Sequence, residues 1–225
     1  MYTILRRIKK ILFQVKSWAL FLFIVKSYLS YIKKDRKKRF SIPLSSAMPC
    51  LFENIPYTRF DTHYVYHTAW AARKVKEIGA SEHVDISSSL YFSSIVSAFT
   101  PVHFYDFRPA KLNLSGLKSS PADLTQLHFK DNSIESLSCM HTVEHVGLGR
   151  YGDPIDPDGD VKAAYELARV VKKGGSLLFV VPVGKPRIQF NAHRIYSYQM
   201  VVDLFPGMTL QEFSLIPDNA LDVGY

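Results

Sequence analysis

Short apolar segments alternate with helical segments through the middle of this chain, and this order constrains the fold more than any other feature. The apolar segments short enough for buried strands are residues 83–86, 102–106, 134–140 and 176–181. Between them, helical patterns cover residues 91–99 and 161–171. Because strands joined through helices run parallel, we expect an α/β fold, a Rossmann-like doubly wound and mostly parallel sheet.

Segments on either side extend this pattern. We expect a helix over Asp61–Ile78 that ends at Gly79, and another over Tyr196–Phe205. The pair Gly174-Gly175 is expected to end the helix that precedes the last apolar strand. A final strand is expected over Thr209–Ile216.

Charge divides the chain into two different parts. The first 40 residues contain 12 Lys and Arg and one acid, whereas the rest contains 16 Lys and Arg and 19 acids. The later part is therefore mildly acidic, which argues against nucleic-acid binding. Two distant cysteines, Cys50 and Cys139, give no disulfide framework and favour a reducing compartment such as the cytoplasm.

Residues 1–40 form a basic, hydrophobic helical extension, followed by a proline-containing linker at 41–56 and a domain at 57–225. The uninterrupted apolar stretch, Ser17–Val25, is shorter than the roughly 20 residues that span a bilayer. We expect a helix that lies in the membrane interface and is attracted to anionic lipid by its basic clusters. A spanning helix over Ile11–Ile32 and a basic partner-binding helix are alternatives.

Polar residues stand where the first two predicted strands end, and ligands of open parallel sheets bind at that edge. The first strand leads through Asp85 into a turn made of Ser87, Ser88 and Ser89. Asp106 ends the second strand 21 residues after Asp85, which is the spacing of an acid that binds ribose hydroxyls. The alternative for Asp106 is an Asx turn before Pro109.

Residues 121–182 resemble the small-molecule class I methyltransferases that use S-adenosylmethionine. The resemblance rests on Ala122-Asp123-Leu124-Thr125, on His141-Thr142-Val143-Glu144-His145, and on Glu166-Leu167-Ala168-Arg169 before Gly174-Gly175. It implies S-adenosylmethionine as cofactor, with Asp123 and Leu124 at the adenine. It also implies that Met140 and His141 line the cofactor cleft.

A narrower resemblance, over roughly residues 57–216, is to the methyltransferase-like domain of unknown function 268 family. The residues that carry it are 147–160 and 190–196, and from these we take candidates for acceptor binding: Arg150, Tyr151, Asp153, Asn191 and Arg194. The candidate catalytic residues are His141, Glu144 and His193. Alternatives are that Glu144 is structural, and that His193 and Arg194 only hold the loop at 153–160.

Two metal interpretations compete for the same residues. His141-Thr142-Val143-Glu144-His145 also matches the inverted zinc-peptidase pattern, which needs both histidines on one helix face. The acids Asp153, Asp156, Asp158 and Asp160 crowd one loop, but their spacing is not that of a calcium-binding EF-hand. We predict no metal, because the first motif follows a strand and the second is typical of turns.

These features predict methyl transfer from S-adenosylmethionine to an oxygen or nitrogen of a small or glycan-like acceptor at a membrane surface. The alternative is a non-catalytic Rossmann module that has lost its cofactor and serves in binding or as a scaffold. The serine turn favours this alternative, whereas Asp106 and Asp123 favour the enzyme.

Overall fold

The computed structural model describes residues 2–223, and it describes side chains at Gln14 and from Ser17 onward. Its contacts divide the chain into two compact units, residues 1–60 and 61–225. The helices are α1 (Tyr2–Lys34), α2 (Thr62–Ile78), α3 (Leu90–Val96), α4 (Gly159–Val170), α5 (Tyr198–Asp203) and α6 (Ala220–Val223). The strands are β1 (His83–Ile86), β2 (Val102–Asp106), β3 (Leu117–Pro121), β4 (Ile134–Met140), β5 (Val171–Val180), β6 (Arg187–Gln189) and β7 (His193–Ile195).

The first unit consists of α1 and an irregular segment that contains one short 3₁₀ turn at Leu44–Ser46. The Tyr28 hydroxyl donates to the Ile42 carbonyl at 2.8 Å and so ties the segment to the helix. Large apolar side chains of α1 are exposed, with Trp18 at 68% and Leu22 at 64%. The basic cluster at residues 6–10 lies outside the described side chains. Among the described residues, no helix combines the length and apolarity needed to cross a bilayer.

The second unit is built on a five-stranded sheet in the order β3-β2-β1-β4-β5, and every pair in it is parallel. This confirms the predicted α/β Rossmann-like fold. The bounds expected for β1, β2 and β4 agree with the structure. The helix α2 begins at the N-cap Asp61, whose carboxylate accepts the Tyr64 N–H at 3.0 Å, and ends at Gly79 in the left-handed conformation.

Two apolar clusters cover the two faces of the sheet. On one face α2 and α3 bury Val75, Phe92 and Val96 against β2 and β3. On the other face α4 buries Ala163 and Leu167 against β1 and β4. Because alternate residues of a strand point to opposite faces, β2, β4 and β5 contribute to both clusters, whereas β3 contributes only to the first and β1 only to the second. Burial on this scale stabilises by roughly 25 cal/mol per Å² of apolar surface.

Beneath α3, polar side chains replace the apolar face of β1 and β4. The imidazole of His83 lies 2.8 Å from the Ser136 hydroxyl and 2.9 Å from the Ser138 hydroxyl. Ser138 in turn donates to Asp85 Oδ1 at 2.5 Å. We call these four hydrogen-bonded residues the polar ladder. All four are buried, so their polar side-chain atoms depend on one another for hydrogen-bond partners.

Four details differ from the sequence predictions. The helix α4 ends at Val170 and β5 begins at the next residue, so Gly174 and Gly175 lie inside the strand. A register shift in the β4–β5 pairing accommodates them. The strand predicted over residues 209–216 does not form, so that prediction was wrong. The strand β3 and the antiparallel β6–β7 hairpin were not predicted.

Candidate active site

A cavity of about 530 Å³ lies at the carboxyl ends of β1, β4 and β5 in the second unit. Ligand sites of open parallel sheets are expected at this edge, and the volume is within the usual range for small-molecule sites. The lining residues are Tyr64, Ser87, Ser88, Ser89, Met140, His141, Glu144, His145, Arg150, Tyr151, Pro182 and His193. Nine of the predicted site residues are therefore brought together here.

The serine turn adopts a backbone shape that usually belongs to glycine. Ser87 has φ of 56°, in the left-handed region that costs an L-residue roughly 1–2 kcal/mol. Its N–H donates to the Tyr105 carbonyl at 2.7 Å, and its carbonyl accepts the Thr142 hydroxyl at 3.0 Å. The Ser88 hydroxyl accepts the Met140 N–H at 3.0 Å. These bonds to β2 and β4 hold the strained turn in place.

Asp85 supports this turn from below and does not line the cavity. Its side chain is 0% exposed, and its two oxygens accept hydrogen bonds from Ser138 at 2.5 Å and Ser93 at 2.6 Å. Burial raises the pKa of Asp85 to about 6, although the hydrogen bonds from serines favour the carboxylate. Its predicted contact with the cofactor stays a prediction.

The other two predicted cofactor acids lie at the ends of β2 and β3, outside the cavity lining. Asp106 Oδ1 accepts the Arg108 N–H at 2.7 Å, which is the Asx turn considered as the alternative role. Asp123 is exposed, and its Oδ1 accepts both the N–H and the hydroxyl of Thr125 at 2.8 and 2.6 Å. No hydrogen bond from the described residues reaches the Oδ2 atom of either acid. Leu124 is 7% exposed and belongs to the core.

The residues present fit S-adenosylmethionine. The left-handed turn at Ser87 gives the close backbone approach that glycine otherwise provides, so the serines do not exclude a cofactor. The Oδ2 atoms of Asp106 and Asp123 remain able to accept hydrogen bonds from ribose hydroxyls and from the adenine amino group. Ser88 and Met140, joined by a hydrogen bond, line the cavity where the methionine part would lie.

The segment His141-Thr142-Val143-Glu144-His145 is a loop with one 3₁₀ turn at Val143–His145. His141 has φ of 55° and follows β4 directly. Its Nδ1 lies 3.1 Å from Glu144 Oε1, and His145 Nε2 lies 3.8 Å from the same oxygen. The two imidazoles therefore contact a carboxylate rather than sharing a helix face as zinc-peptidase ligands would. Within residues 2–223 no group of three potential ligands is arranged to hold a metal ion.

Glu144 is the most unusual polar residue in the cavity. Its side chain is 2% exposed, yet Oε2 is buried without a hydrogen-bond partner among the described residues. A buried carboxylate oxygen without a donor costs roughly 1–3 kcal/mol or more. The described residues therefore leave this oxygen without the donor that buried polar groups normally have.

Histidines and tyrosines surround this carboxylate. The rings of Tyr64 and His141 are stacked at 5.7 Å between centroids, and His67 contacts His141 edge-on at 4.8 Å. Burial lowers the pKa of His145, although Glu144 opposes the shift, and burial lowers that of His67 to about 4. Both imidazoles are neutral at pH 7. Burial, with the charge of Glu144, raises the pKa of Tyr64, whose hydroxyl therefore keeps its proton.

Sequence reasoning missed three of these residues. Tyr64 and His67 lie near the start of α2, and Pro182 lies just after β5. The spacing of Tyr64 and His67 places both on one helix face, which was the available signal. Nothing in a single sequence shows that this face meets the end of β4. His145 was considered only as a zinc ligand.

The predicted acceptor-binding residues separate into two groups. Arg150 and Tyr151 line the cavity, as does the candidate base His193. Arg194 is 5% exposed and donates to the carbonyls of Val146, Asp156 and Pro157 at 2.6–3.4 Å. The structure thus gives Arg194 the loop-holding role that was the alternative, and it does not give that role to His193.

Two more of these candidates lie away from the cavity lining. Asp153 accepts the N–H groups of Gly147, Gly149 and Tyr151. Burial alone would raise the pKa of Asp153, but these hydrogen bonds together lower it. Asn191 is exposed in the turn of the β6–β7 hairpin.

The acids of the loop also have partners within the protein. Asp156 pairs with Lys162 at 2.6 Å, and Asp160 accepts the Tyr196 hydroxyl at 2.9 Å. A Cβ at Gly147 would overlap the Asp156 carbonyl, so the loop is closely packed against itself. These contacts join the loop to α4 and to the residue that follows β7.

Comparison with known proteins agrees with this structure. Residues 116–222 match a family model described as "Caenorhabditis protein of unknown function, DUF268". No curated protein matches the chain by sequence.

Similar solved structures include a protein described as a methyltransferase in a complex with the Haloferax volcanii Trm112 activator. It is 17% identical with a TM-score of 0.47, and the match covers 64% of this chain and 68% of that one. A SAM-dependent methyltransferase of Thermotoga maritima is 16% identical with a TM-score of 0.43, covering 63% and 72%.

A phosphoethanolamine N-methyltransferase 2 of Haemonchus contortus, solved with phosphomonomethylethanolamine and S-adenosylhomocysteine, is 13% identical with a TM-score of 0.41. That match covers 65% of this chain and 41% of the other. The narrower resemblance seen in the sequence is thus confirmed over residues 116–222, which match the DUF268 family model, and the sheet of the second unit is Rossmann-like.

Proposed function

We propose that this protein transfers a methyl group from S-adenosylmethionine to an oxygen or nitrogen of a small or glycan-like acceptor bound in the cavity. The observation that carries the proposal is the unpaired carboxylate oxygen of Glu144, a residue that lines the cavity. Oε2 of Glu144 is buried without a hydrogen-bond partner among the described residues, and its Oε1 contacts His141 beside the serine turn. A carboxylate held in this way is suited to accept a proton from an acceptor O–H or N–H.

Binding of the cofactor would use the edge of the sheet from β1 to β3. The turn at Ser87, Ser88 and Ser89 would face the methionine part, and Asp106 and Asp123 would bind the ribose and adenine. When bound, S-adenosylmethionine supplies an electrophilic methyl group on a sulfonium. The carboxylates of this edge then fix its orientation, and orientation provides a large part of the rate in such reactions.

Removal of the acceptor proton would fall to the pair of Glu144 and His141. Oε2 of Glu144 has no donor among the described residues and would receive the hydrogen bond of the nucleophile once the acceptor is bound, while His141 contacts Oε1. His193 also lines the cavity and is the second candidate base. Tyr64 keeps its proton and can donate a hydrogen bond to the acceptor.

The first unit would bring the enzyme to a membrane surface on the cytoplasmic side. Support comes from the basic composition of residues 1–40 and from the exposed apolar side chains of α1, including Trp18 and Leu22. Such a helix binds anionic interfaces through apolar burial together with charge. The test is flotation with vesicles of anionic lipid, comparing the full chain with a chain that lacks residues 1–40. Equal flotation of the two would contradict this part.

The cofactor is tested by calorimetric titration of the full chain with S-adenosylmethionine. We expect micromolar binding by the wild type and loss of binding in Asp106→Ala. Asp218→Ala is the matched control, because Asp218 is exposed and distant in sequence from the strand ends. Glu144→Gln should still bind the cofactor and lose methyl transfer. Absence of binding by folded wild-type protein would contradict the proposal.

One observation favours a second candidate, the non-catalytic module. Asp85, Asp153 and Arg194 were predicted to bind ligands, yet their polar atoms contact the protein itself. A fold that keeps only such contacts would serve as a scaffold. The same titration separates the two functions, because a scaffold would not distinguish Asp106→Ala from Asp218→Ala.

A further inference from the structure

Two arginines share one tyrosine ring beside the cavity. The Cζ of Arg108 lies 4.7 Å from the centroid of the Tyr151 ring, and the Cζ of Arg150 lies 5.0 Å from it. Arg108 follows β2, whereas Arg150 and Tyr151 belong to the loop after β4. Cation–π contacts of this kind fix the position of a guanidinium without using its N–H donors.

Neither guanidinium is neutralised. No ion pair joins Arg108 or Arg150 to a carboxylate within the described part of the chain, although Arg169 and Arg194 have such pairs. The nearest acids in sequence do not pair with them: Asp153 accepts three backbone N–H groups, and Asp106 accepts the backbone N–H of Arg108 through Oδ1. Arg150 donates through Nη1 to the Ala192 carbonyl at 3.0 Å and keeps other N–H donors.

Each guanidinium carbon lies within 5.0 Å of the same ring centroid, so the two positive charges are at most about 10 Å apart and both attract an anion beside the ring. A guanidinium presents paired N–H donors that match the oxygens of phosphate or carboxylate. The combined charge of two guanidiniums matches a phosphate monoester, which carries nearly two negative charges at pH 7. A carboxylate would neutralise only one of them.

We infer that the methyl acceptor carries a phosphate group and that Arg150 and Arg108, held by Tyr151, bind this group. The inference rests on the proposed function, since it specifies the acceptor of the same cavity. Arg150 and Glu144 both line the cavity, so one molecule can place its phosphate on the arginines and its nucleophile near Glu144. The phosphate therefore selects the acceptor and orients it for proton removal.

The test is titration of the full-length protein with inorganic phosphate, followed by calorimetry, in the absence of S-adenosylmethionine. Loss of one charge-assisted contact is expected to weaken binding about ten- to a hundredfold in Arg150→Gln. Arg108→Gln should weaken it by a smaller factor. The control Arg73→Gln removes the same charge from an exposed position on α2 and should bind as the wild type does.

The basic residues 1–40 also attract phosphate, but they are present in every variant and cannot produce the difference. Thermal melting checks that each variant is folded, and Arg108→Gln tests the site if Arg150→Gln is not. Equal affinity of the wild type, Arg150→Gln and Arg108→Gln would overturn the inference. Acetate binding as tightly as phosphate would also overturn the inference, because acetate carries only one negative charge and the proposed site holds two positive charges.

The phosphate could belong to a soluble molecule or to a lipid headgroup. Phosphatidylcholine vesicles with and without phosphatidic acid separate these sources. If the headgroup enters the cavity, Arg150→Gln will lower vesicle binding, whereas a soluble acceptor predicts equal vesicle binding by the two proteins. Because no cofactor is present, phosphate binding that depends on Arg150 would support the anion site even if S-adenosylmethionine failed to bind. Failure of the inference is thereby distinguished from failure of the proposed function.

Discussion

The two halves of the strand-end edge use their acidic residues in different ways. At the ends of β2 and β3, Asp106 and Asp123 are at least partly exposed and each accepts hydrogen bonds from its own turn. At the end of β4, Glu144 is buried, and one oxygen has no donor among the described residues. An exposed acid can always be satisfied by water, whereas a buried one needs a partner. The buried half therefore gives the stronger evidence for chemistry, although sequence spacing pointed to the exposed half.

The largest expected effect is on turnover through Glu144. Glu144→Gln should reduce methyl transfer by about a hundredfold or more, the range in which a general base contributes. Production of S-adenosylhomocysteine with a phosphorylated acceptor measures the rate, and calorimetry checks that cofactor binding is kept. If Glu144→Gln retained full turnover, the buried half would be structural and the contrast with Asp106 would disappear.

The next effect is on stability and separates two arginines. Arg194→Met should lower the free energy of unfolding by about 3 kcal/mol, because three carbonyls and Asp160 lose a buried partner. Arg150→Met should change it by less than about 1 kcal/mol, because Arg150 is exposed. Urea unfolding of both variants measures this difference. Equal losses would contradict the assignment of Arg194 to structure and Arg150 to binding.

The third effect depends on pH and concerns Asp85. Its folded pKa is about 6 against 3.8 for the ordinary side chain, so folding favours the protonated form. The associated stability is fully present below pH 3.8 and is lost as pH rises through about 6. Relative to Asp85→Asn, the wild type should therefore lose about 2–3 kcal/mol between these values and change little above pH 7. Parallel curves for the two proteins would show that Asp85 is not shifted.

The smallest effect concerns the serine turn. Ser87→Gly relieves the left-handed conformation but adds freedom to the unfolded chain, so stability should change by no more than about 1 kcal/mol. Affinity for S-adenosylmethionine should stay within a few-fold of the wild type. Thermal melts and calorimetry measure the two quantities. A large gain in affinity would mean that the serines had been impairing cofactor binding.

Strong periodicity made most of the fold predictable. The apolar strands β1, β2 and β4 and the capped helix α2 were found because burial and capping leave local signals. The strand β3 has one buried residue, Leu117, and its sequence has no strand pattern. The pair Gly174-Gly175 is typical of a helix end, but α4 ends at Val170 because the next residue, Val171, pairs with Ile134 of β4. Such pairing is set by a distant strand and leaves no local trace.

The candidate site was predicted in part for a similar reason. Residues that directly follow strands, such as Met140 and His141, could be assigned because the topology fixes their place. Tyr64 could not, because its contact with His141 depends on how α2 packs. The roles of Arg150 and Arg194 were also indistinguishable, since only the folded chain shows which guanidinium is surrounded by carbonyls.

The polar ladder of His83, Ser136, Ser138 and Asp85 has a consequence for the alignment of β1 with β4. Apolar side chains tolerate sliding, but a shift of one residue would place these hydroxyls and the imidazole against hydrocarbon without partners. These hydrogen bonds therefore fix the register of β1 against β4. Ser87 follows β1 and His141 follows β4, and both line the cavity. The register of the two strands therefore also sets the distance between these two residues across the cavity.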